Sequence, residues 1–332
     1  MPNLQKILVT GGSGFIGSWL IRHLLSQYPQ LQVINLDLLT YAGNPDNLKD
    51  LETNPRYRFV QGDIQDEALV NPLMREVDAC VNVAAQTHVD RSISGPGVFI
   101  TTNVLGTQVL LEAARNANIG QFVQVSTDEV YGSIDGTAKF TEESPLEPSS
   151  PYSSSKAGAD LIALSYWKTF DMPVCITRCT NNYGPNQYPE KLMPLFILNA
   201  SEDQSVPVYG DGLNVREWIH VQDHAVAVAK VLFDGQAGQV YNIGSGSELN
   251  NLEITRLLLK TLGKPESLIK FVTDRPGHDR RYALDSSKIE RELGWQPEIS
   301  FEDGLRQTVR WYLDNPEWVA NVRRRERDLL SV

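Results

Sequence analysis

Asp128 and Glu129 are adjacent carboxylates, preceded by the hydroxyls of Ser126 and Thr127 and followed by Val130-Tyr131-Gly132; Tyr152 and Lys156 come shortly after, four positions apart. A hydroxyl, two carboxylates, a phenol and an ammonium make a set of proton donors and acceptors. Beside a hydride carrier, such a set suits redox chemistry coupled to loss of water. The four-residue spacing puts Tyr152 and Lys156 on one face of a helix. An ammonium there is expected to favour the phenolate, lowering the phenol from its ordinary pKa of about 10 and making Tyr152 a usable base near neutrality. Dehydration needs both a base and an acid, and mutual repulsion with unequal burial can separate the pKa values of neighbouring carboxylates.

The hydride carrier is expected at the start of the chain. Lys6-Ile7-Leu8-Val9-Thr10 reads as a buried strand, and Gly11-Gly12-Ser13-Gly14-Phe15-Ile16-Gly17 turns it into a helix over roughly Phe15 to Gln27. Gly11, Gly14 and Gly17 suit a tight turn, close approach of backbone to a pyrophosphate, and helix-strand packing, with the helix N-terminus aimed at the phosphates. A second strand, Gln32 to Leu36, ends in Asp37, about 20 residues beyond the glycines, where a carboxylate accepts hydrogen bonds from the adenosine ribose. It would repel a 2′-phosphate, so the expected cofactor is NAD rather than NADP.

These residues need a frame. Further strands are expected near Arg58 to Gln61, Ala79 to Val83, Phe122 to Val125 and Val174 to Thr177, with helices over Val104 to Asn116 and Ala157 to Lys168. Strands alternating with helices predict an α/β fold, a doubly wound parallel sheet of Rossmann type covered on both faces. We assign residues 1–180 to this NAD-binding domain with the catalytic residues. Beyond Asn182, Gly and Pro interrupt shorter elements, a strand at Val240 to Ile243 and helices near Leu252 to Leu262 and Phe301 to Asn315. Residues 181–332 are expected to form mainly a smaller α/β substrate-binding lobe, interleaved with the first and closing over a cleft at the strands' carboxyl ends.

A chain of 332 residues can bury roughly three quarters of its unfolded surface. No stretch approaches the roughly 20 apolar residues of a membrane span, and there is no signal-peptide pattern, so a cytoplasmic location is expected. Cys80, Cys175 and Cys179 lie in or beside apolar runs and read as buried reduced thiols; five scattered histidines show no ligand spacing, and no metal is expected. The net charge of −11 disfavours nucleic acid, and an anionic ligand would need local cations such as Arg216, Arg275, Arg280 and Arg281 around His278. Arg323-Arg324-Arg325 reads as a solvated helix face or tail.

Thr10 to Gly17, Ala84 to Ser92, Ser126 to Gly132, Pro151 to Lys156, Asn181 to Pro185, Pro189 to Leu192, Tyr209 to Gly212, Arg216 to Trp218 and Arg275 to Tyr282 together resemble the extended short-chain dehydrogenase/reductases. Within them, over almost its full length, the chain is similar to the dTDP-glucose 4,6-dehydratases. The resemblance implies a lyase cycle on a nucleotide sugar: C4 oxidation with Tyr152 as base, assisted by Thr127 and Lys156; elimination with Glu129 as base at C5 and Asp128 as acid at C6; and hydride return to C6. It implies tightly held NAD contacted by Phe15, Ile16, Asp37, Thr40, Asp63, Ile64, Ala84, Ala85, Thr102 and Asn182. Substrate contacts implied are Thr87, Asn181, Lys191, Leu192, Arg216, Asn251, Arg275 and His278, with Pro207, Val208 and Tyr209 lining the base pocket. It further implies a homodimer through the helices after Asn103 and Tyr152. The chain departs from the family at Gln86-Thr87, often Glu-Ser, and at Asn186, often aromatic, which leaves thymidine and uridine both open as the base. A nucleotide-sugar 4-epimerase would share Tyr152 and Lys156 but has no use for Asp128-Glu129; a silent NAD-binding regulator would need none of them.

Overall fold

In the computed structural model, residues 4–274 and 277–330 are described. Short β-branched runs alternate with longer amphipathic stretches, so the chain passes through repeated strand-helix units. The first part comprises β1 (Lys6–Thr10), α1 (Phe15–Gln27), β2 (Gln32–Asp37), β3 (Tyr57–Gln61), α2 (Glu67–Met74), β4 (Ala79–Asn82), α3 (Val89–Ser94), α4 (Gly97–Phe99), a π-helical turn (Ile100–Leu105) running into α5 (Gly106–Ala117), β5 (Gln121–Thr127), a 3-10 turn (Asp128–Tyr131), α6 (Pro151–Phe170) and β6 (Val174–Cys179). It continues through β7 (Asn181–Tyr183), α7 (Leu192–Ser201), β8 (Val206–Tyr209), β9 (Val215–His220), α8 (Val221–Asp234), β10 (Val240–Ile243), β11 (Glu248–Asn250), α9 (Asn251–Leu262), β12 (Ile269–Val272), α10 (Ser287–Leu293), α11 (Phe301–Asp314) and α12 (Pro316–Leu330).

Seven parallel strands form one sheet in the order β10-β6-β5-β4-β1-β2-β3. Chain order reverses between β1 and β4, and a doubly wound sheet opens its ligand crevice at such a point. Both faces are covered. Apolar side chains of α1 and α8 (Leu20, Leu24, Val228, Val231) bury against one face, and those of α2, α5 and α6 (Val70, Leu110, Ala163) against the other. Burial on both sides explains why β1 and β4 read as continuous apolar runs rather than alternating ones.

The chain past residue 180 divides its elements between two bodies. β7, β9 and β11 form a small sheet and β8 pairs with β12; around them α7, α9, α11 and α12 close a separate core that includes Phe196, Leu258, Tyr312 and Trp318. α8 and β10 instead return to the large sheet, β10 as its edge strand beside β6. α7 and α8 were not expected as helices. α7 and α8 are buried on several sides, and this blurs the one-sided apolar stripe by which a surface helix is read. Among the described residues, no helix is long and apolar enough to cross a membrane.

Candidate active site

The crevice between β1 and β4 is built by glycine. Gly11 adopts φ +66°, and a Cβ on it would stand 2.7 Å from the backbone of Ala84 on the neighbouring strand's exit; one on Gly17 would stand 2.3 Å from the Gly11 carbonyl oxygen. Only glycine permits this approach of loop, helix and strand. α1 begins at Gly14 with no side-chain cap and no acidic residue in its first turn, so its positive end is free to receive a pyrophosphate. Asp37 is buried, and its carboxylate accepts from the amides of Ser13 (2.9 Å) and Leu39 (2.8 Å). Burial pushes its pKa up; the two amides and the guanidinium of Arg325 pull it back. A carboxylate has room for two further donors, such as a pair of ribose hydroxyls. These residues fit NAD.

One continuous cleft runs from this crevice past the ends of β4, β5 and β6. Gly11, Gly14, Phe15, Ile16, Gly17, Asp37, Thr40, Asp63, Ile64, Ala84, Ala85, Thr102 and Asn182 all line it, as do Thr127, Asp128, Glu129, Tyr152 and Lys156, and Thr87, Asn181 and Lys191. Thr102 reaches the cleft from the π-helical turn, a distortion that Asn103 braces by bonding Gln86 on both main-chain sides and the Ser155 hydroxyl at 2.8 Å.

Thr127 ends β5 and caps the 3-10 turn, its Oγ1 accepting from the Glu129 amide at 3.4 Å and donating to Asp128 Oδ1 at 3.2 Å. Asp128 is buried while Glu129 is half-buried. Burial first, then the charges of Glu129 and Glu217, hold the Asp128 carboxyl well above the ordinary carboxylate range, with Arg216 and the Thr127 hydroxyl opposing. Its Oδ2 is buried without a hydrogen-bond partner. A carboxyl whose protonated form is favoured in this way is suited to donate a proton into the cleft.

Tyr152 corrects an expectation. Burial, Glu129 and Cys179 push its phenol well above its usual range, and the hydrogen bond with Thr127 only partly opposes them. Lys156 does not offset this: burial holds its own pKa down, and its Nζ donates to the Val125 carbonyl at 2.6 Å. In this arrangement, desolvation and two carboxylates outweigh one partly compensated ammonium. Helix α6 still presents Tyr152 and Lys156 together, started by Pro151 and by a Ser150-Ser153 capping box.

The remaining described substrate candidates do not line this cleft. Arg216 on β9 is buried, bonds the carbonyls of Val215 and Asp279, and stacks its guanidinium 4.3 Å from the Tyr282 ring centroid. Leu192 begins α7, and Asn251 begins α9. On β8, Val208 is buried in the second core while Tyr209 is exposed, with the His278 ring edge-on at 6.4 Å; His278 Nδ1 also meets Asp274 Oδ1 at 2.6 Å. Pro207 precedes Val208 on the same strand and pairs across to Lys270 of β12. Arg275 falls outside the described residues. Arg325 is not the solvated residue expected: it donates to the Gly43 carbonyl at 3.0 Å, close enough to act on Asp37.

Cys179 and Glu190, not foreseen, also line the cleft, and His224, Tyr41 and Arg91 bond to residues of its lining or lie against them. Cys179 donates Sγ to the Ser126 carbonyl at 3.4 Å, its thiol pushed up to about 12 chiefly by burial. His224 Nδ1 meets Asn182 Oδ1 at 2.8 Å, and burial lowers its pKa to about 3, so the neutral ring orients that amide. Tyr41 donates to Glu190 at 3.0 Å, Arg91 donates to it at 3.1 Å, and Arg91 lies 3.8 Å from the Tyr41 ring centroid, tying the two lobes at the cleft mouth. All three cysteines are free and buried. Among the described residues, no group of three His, Cys, Asp or Glu side chains is placed to hold a metal ion.

Residues 8–308 match the family model described as GDP-mannose 4,6 dehydratase. The chain is 53% identical to a dTDP-glucose 4,6-dehydratase of Actinoplanes sp., covering 95% of this chain and 99% of that one. It is 55% identical to the low-salt glycan biosynthesis protein Agl12 of Haloferax volcanii, covering 94% and 100%. Its fold superposes with a TM-score of 0.92 on the crystal structure of the dTDP-glucose 4,6-dehydratase DesIV of Streptomyces venezuelae with NAD and TYD bound, at 56% identity and covering 94% and 98%. The chain, with its parallel sheet, thus belongs to the GDP-mannose 4,6 dehydratase family of extended short-chain dehydrogenases/reductases, alongside its dTDP-glucose 4,6-dehydratases.

Proposed function

We propose that this protein is an NAD-dependent hydro-lyase that converts dTDP-glucose to dTDP-4-keto-6-deoxyglucose. The observation that carries the reading is the buried Asp128, its carboxyl held well above the ordinary range and its Oδ2 without a hydrogen-bond partner, next to Glu129 in one cleft with Thr127, Tyr152 and the glycine crevice. An oxidation or epimerisation at C4 alone has no use for that pair. Relatives named dTDP-glucose 4,6-dehydratase at about half identity over nearly the whole chain support the substrate.

Bound NAD supplies the hydride acceptor at C4 and later the donor at C6. Tyr152, bonded to Thr127, would take the C4 hydroxyl proton as phenolate, a form that the positive charge of bound NAD⁺ would favour against burial and the neighbouring carboxylates, and Lys156 secures the strand end that carries Thr127. The new ketone acidifies C5, from which Glu129 removes a proton. Asp128 delivers its own proton to the departing C6 hydroxyl, which leaves as water, and C5 is reprotonated as hydride returns to C6. Lys191, at the cleft's second-lobe wall, donates to the Thr87 carbonyl at 3.3 Å and faces the nucleotide side. Arg216, Asn251, His278 and the β8 residues, which do not line that cleft, would take the diphosphate and base beyond it.

A homodimer fits this reading. Val98, Ile100, Leu105 and Leu161 are each about half exposed along α4, the π-helical turn and α6, an apolar surface larger than scattered singles. Free buried thiols suit a reducing, cytoplasmic setting. Incubation of the purified protein with dTDP-glucose and no added cofactor tests the function. A product lighter by one water is expected. Unchanged mass with dTDP-glucose, together with water loss from UDP-glucose, would move the base assignment; a change at C4 without water loss would replace the reading with an epimerase.

A further inference from the structure

Four buried side chains with no part in the chemistry above lie behind the catalytic turn: Asp160 on α6, Arg178 on β6, Tyr131 at the end of the turn, and Asn242 on β10. Arg178 Nε donates to Asp160 Oδ2 at 2.9 Å, and its Nη1 donates to the Tyr131 hydroxyl at 2.8 Å. That hydroxyl in turn donates to Asn242 Oδ1 at 2.8 Å, and Asn242 Nδ2 donates to the Phe140 carbonyl at 3.0 Å. The Tyr131 ring lies stacked on Phe140 at 4.9 Å.

Stability alone does not account for this arrangement. Removing two charges from water is expensive, and an apolar pair of the same volume commonly serves as well. What an arginine adds is direction, because its planar fork sends donors out at fixed angles. Here one fork grips α6 through Asp160 and the catalytic turn through Tyr131. Tyr152, Lys156 and Asp160 follow one another at four-residue intervals, so one stretch of helix carries the phenol, the lysine and the anchor of the network. In the sheet, Arg178 pairs with Ser126, one residue before Thr127. The turn Asp128–Tyr131 is held at its start by Thr127 and at its end by Tyr131.

We infer that Arg178 and Tyr131 are positioning residues that fix Asp128 and Glu129 at a set distance from Tyr152, so that elimination follows oxidation in one cleft without movement of the sugar. The inference rests on the dehydratase reading. It also gives the return of the chain to the large sheet a purpose, since β10 brings in Asn242.

The test is Tyr131→Phe in the full-length enzyme, which removes one hydroxyl and keeps the ring stack, with Arg178→Lys as a second variant that keeps the charge facing Asp160 but loses the fork. Because a misplacement on the order of 1 Å at reacting groups costs about 100-fold, kcat should fall roughly 10- to 100-fold while KM stays within about twofold. With substrate deuterated at C5 the isotope effect on kcat should grow in both variants, and with substrate deuterated at C4 it should shrink. A merely structural role would lower the active fraction and leave both isotope effects as in the parent. Unchanged kcat, or a fall with unchanged isotope effects, in whichever variant folds, overturns the inference. A parent enzyme that releases no water overturns the dehydratase reading and this inference with it.

Discussion

Lys156 Nζ lies 2.6 Å from the carbonyl oxygen of Val125 and donates to it, which places a buried ammonium directly beneath the strand end that continues into Ser126 and Thr127. The lysine thus acts on the site through β5 as well as through its charge. Lys156→Met should lower kcat by about 10²- to 10³-fold, the range for losing support of a general base. Since burial lowers the lysine's pKa, the parent's activity should fall as pH rises toward that lowered value. The pH-rate profile of Lys156→Met should lack that limb.

Asp128 and Glu129 should separate by experiment as they do in burial. Glu129→Gln and Asp128→Asn should each reduce turnover by about 10²- to 10⁴-fold while NAD copurifies as in the parent. Their effects on stability differ. The folded-state pKa of Asp128 is raised, so the folded form binds its proton more tightly than the unfolded one. Its favourable contribution is complete below the unfolded pKa of about 3.9 and is lost as pH climbs toward the folded value, about 1.4 kcal/mol per unit of displacement. Asp128→Asn should therefore melt higher than the parent at pH 7, and the gain should vanish near pH 3.5 in paired thermal melts.

Gly17→Ala sets a methyl group 2.3 Å from the Gly11 carbonyl oxygen and 2.7 Å from Gly12 Cα. Backbone, not a flexible side chain, must yield. A loss of about 1–3 kcal/mol is expected from overpacking, read as a lower melting temperature with sub-stoichiometric NAD in the purified protein. Normal NAD content would show that the loop relaxes without disturbing the pyrophosphate seat.

Arg325 links the last helix to the loop that holds Asp37, the proposed adenosine end of the cleft. Removing it by Arg325→Met takes away a charged hydrogen bond to Gly43, worth about 1.5–3 kcal/mol in general, and the cation that opposes the raised pKa of Asp37. NAD affinity should fall roughly tenfold in a calorimetric titration of stripped enzyme, with kcat at saturating NAD little changed.

Leu161, 59% exposed on α6, tests the dimer. Leu161→Glu places a carboxylate in the centre of an apolar face, and burying it unpaired would cost several kcal/mol. Light scattering should report a dimer for the parent and a monomer for the variant at micromolar concentration. A parent that is monomeric removes the proposal.

The amino-acid sequence by itself determined the local chemistry. Gly11 to Gly17, Asp37, Asp128-Glu129 and the Tyr152-Lys156 pair act through spacings of a few residues, and a turn, a strand end or one helix face carries such spacing whatever the rest of the chain does. The alternation of strands and helices along the first half was legible for the same reason, whereas the order of the strands in the sheet was not. The tertiary structure decided everything that depends on residues far apart in the chain. It put α8 and β10 on the large sheet, aimed Lys156 at Val125, brought Arg325 to the Asp37 loop, and joined Asp160, Arg178, Tyr131 and Asn242 behind the catalytic turn. The direction of the Tyr152 pKa belongs to this second group. Whether an ammonium or desolvation wins depends on how much water and how many carboxylates surround the phenol, and that is set by packing between elements.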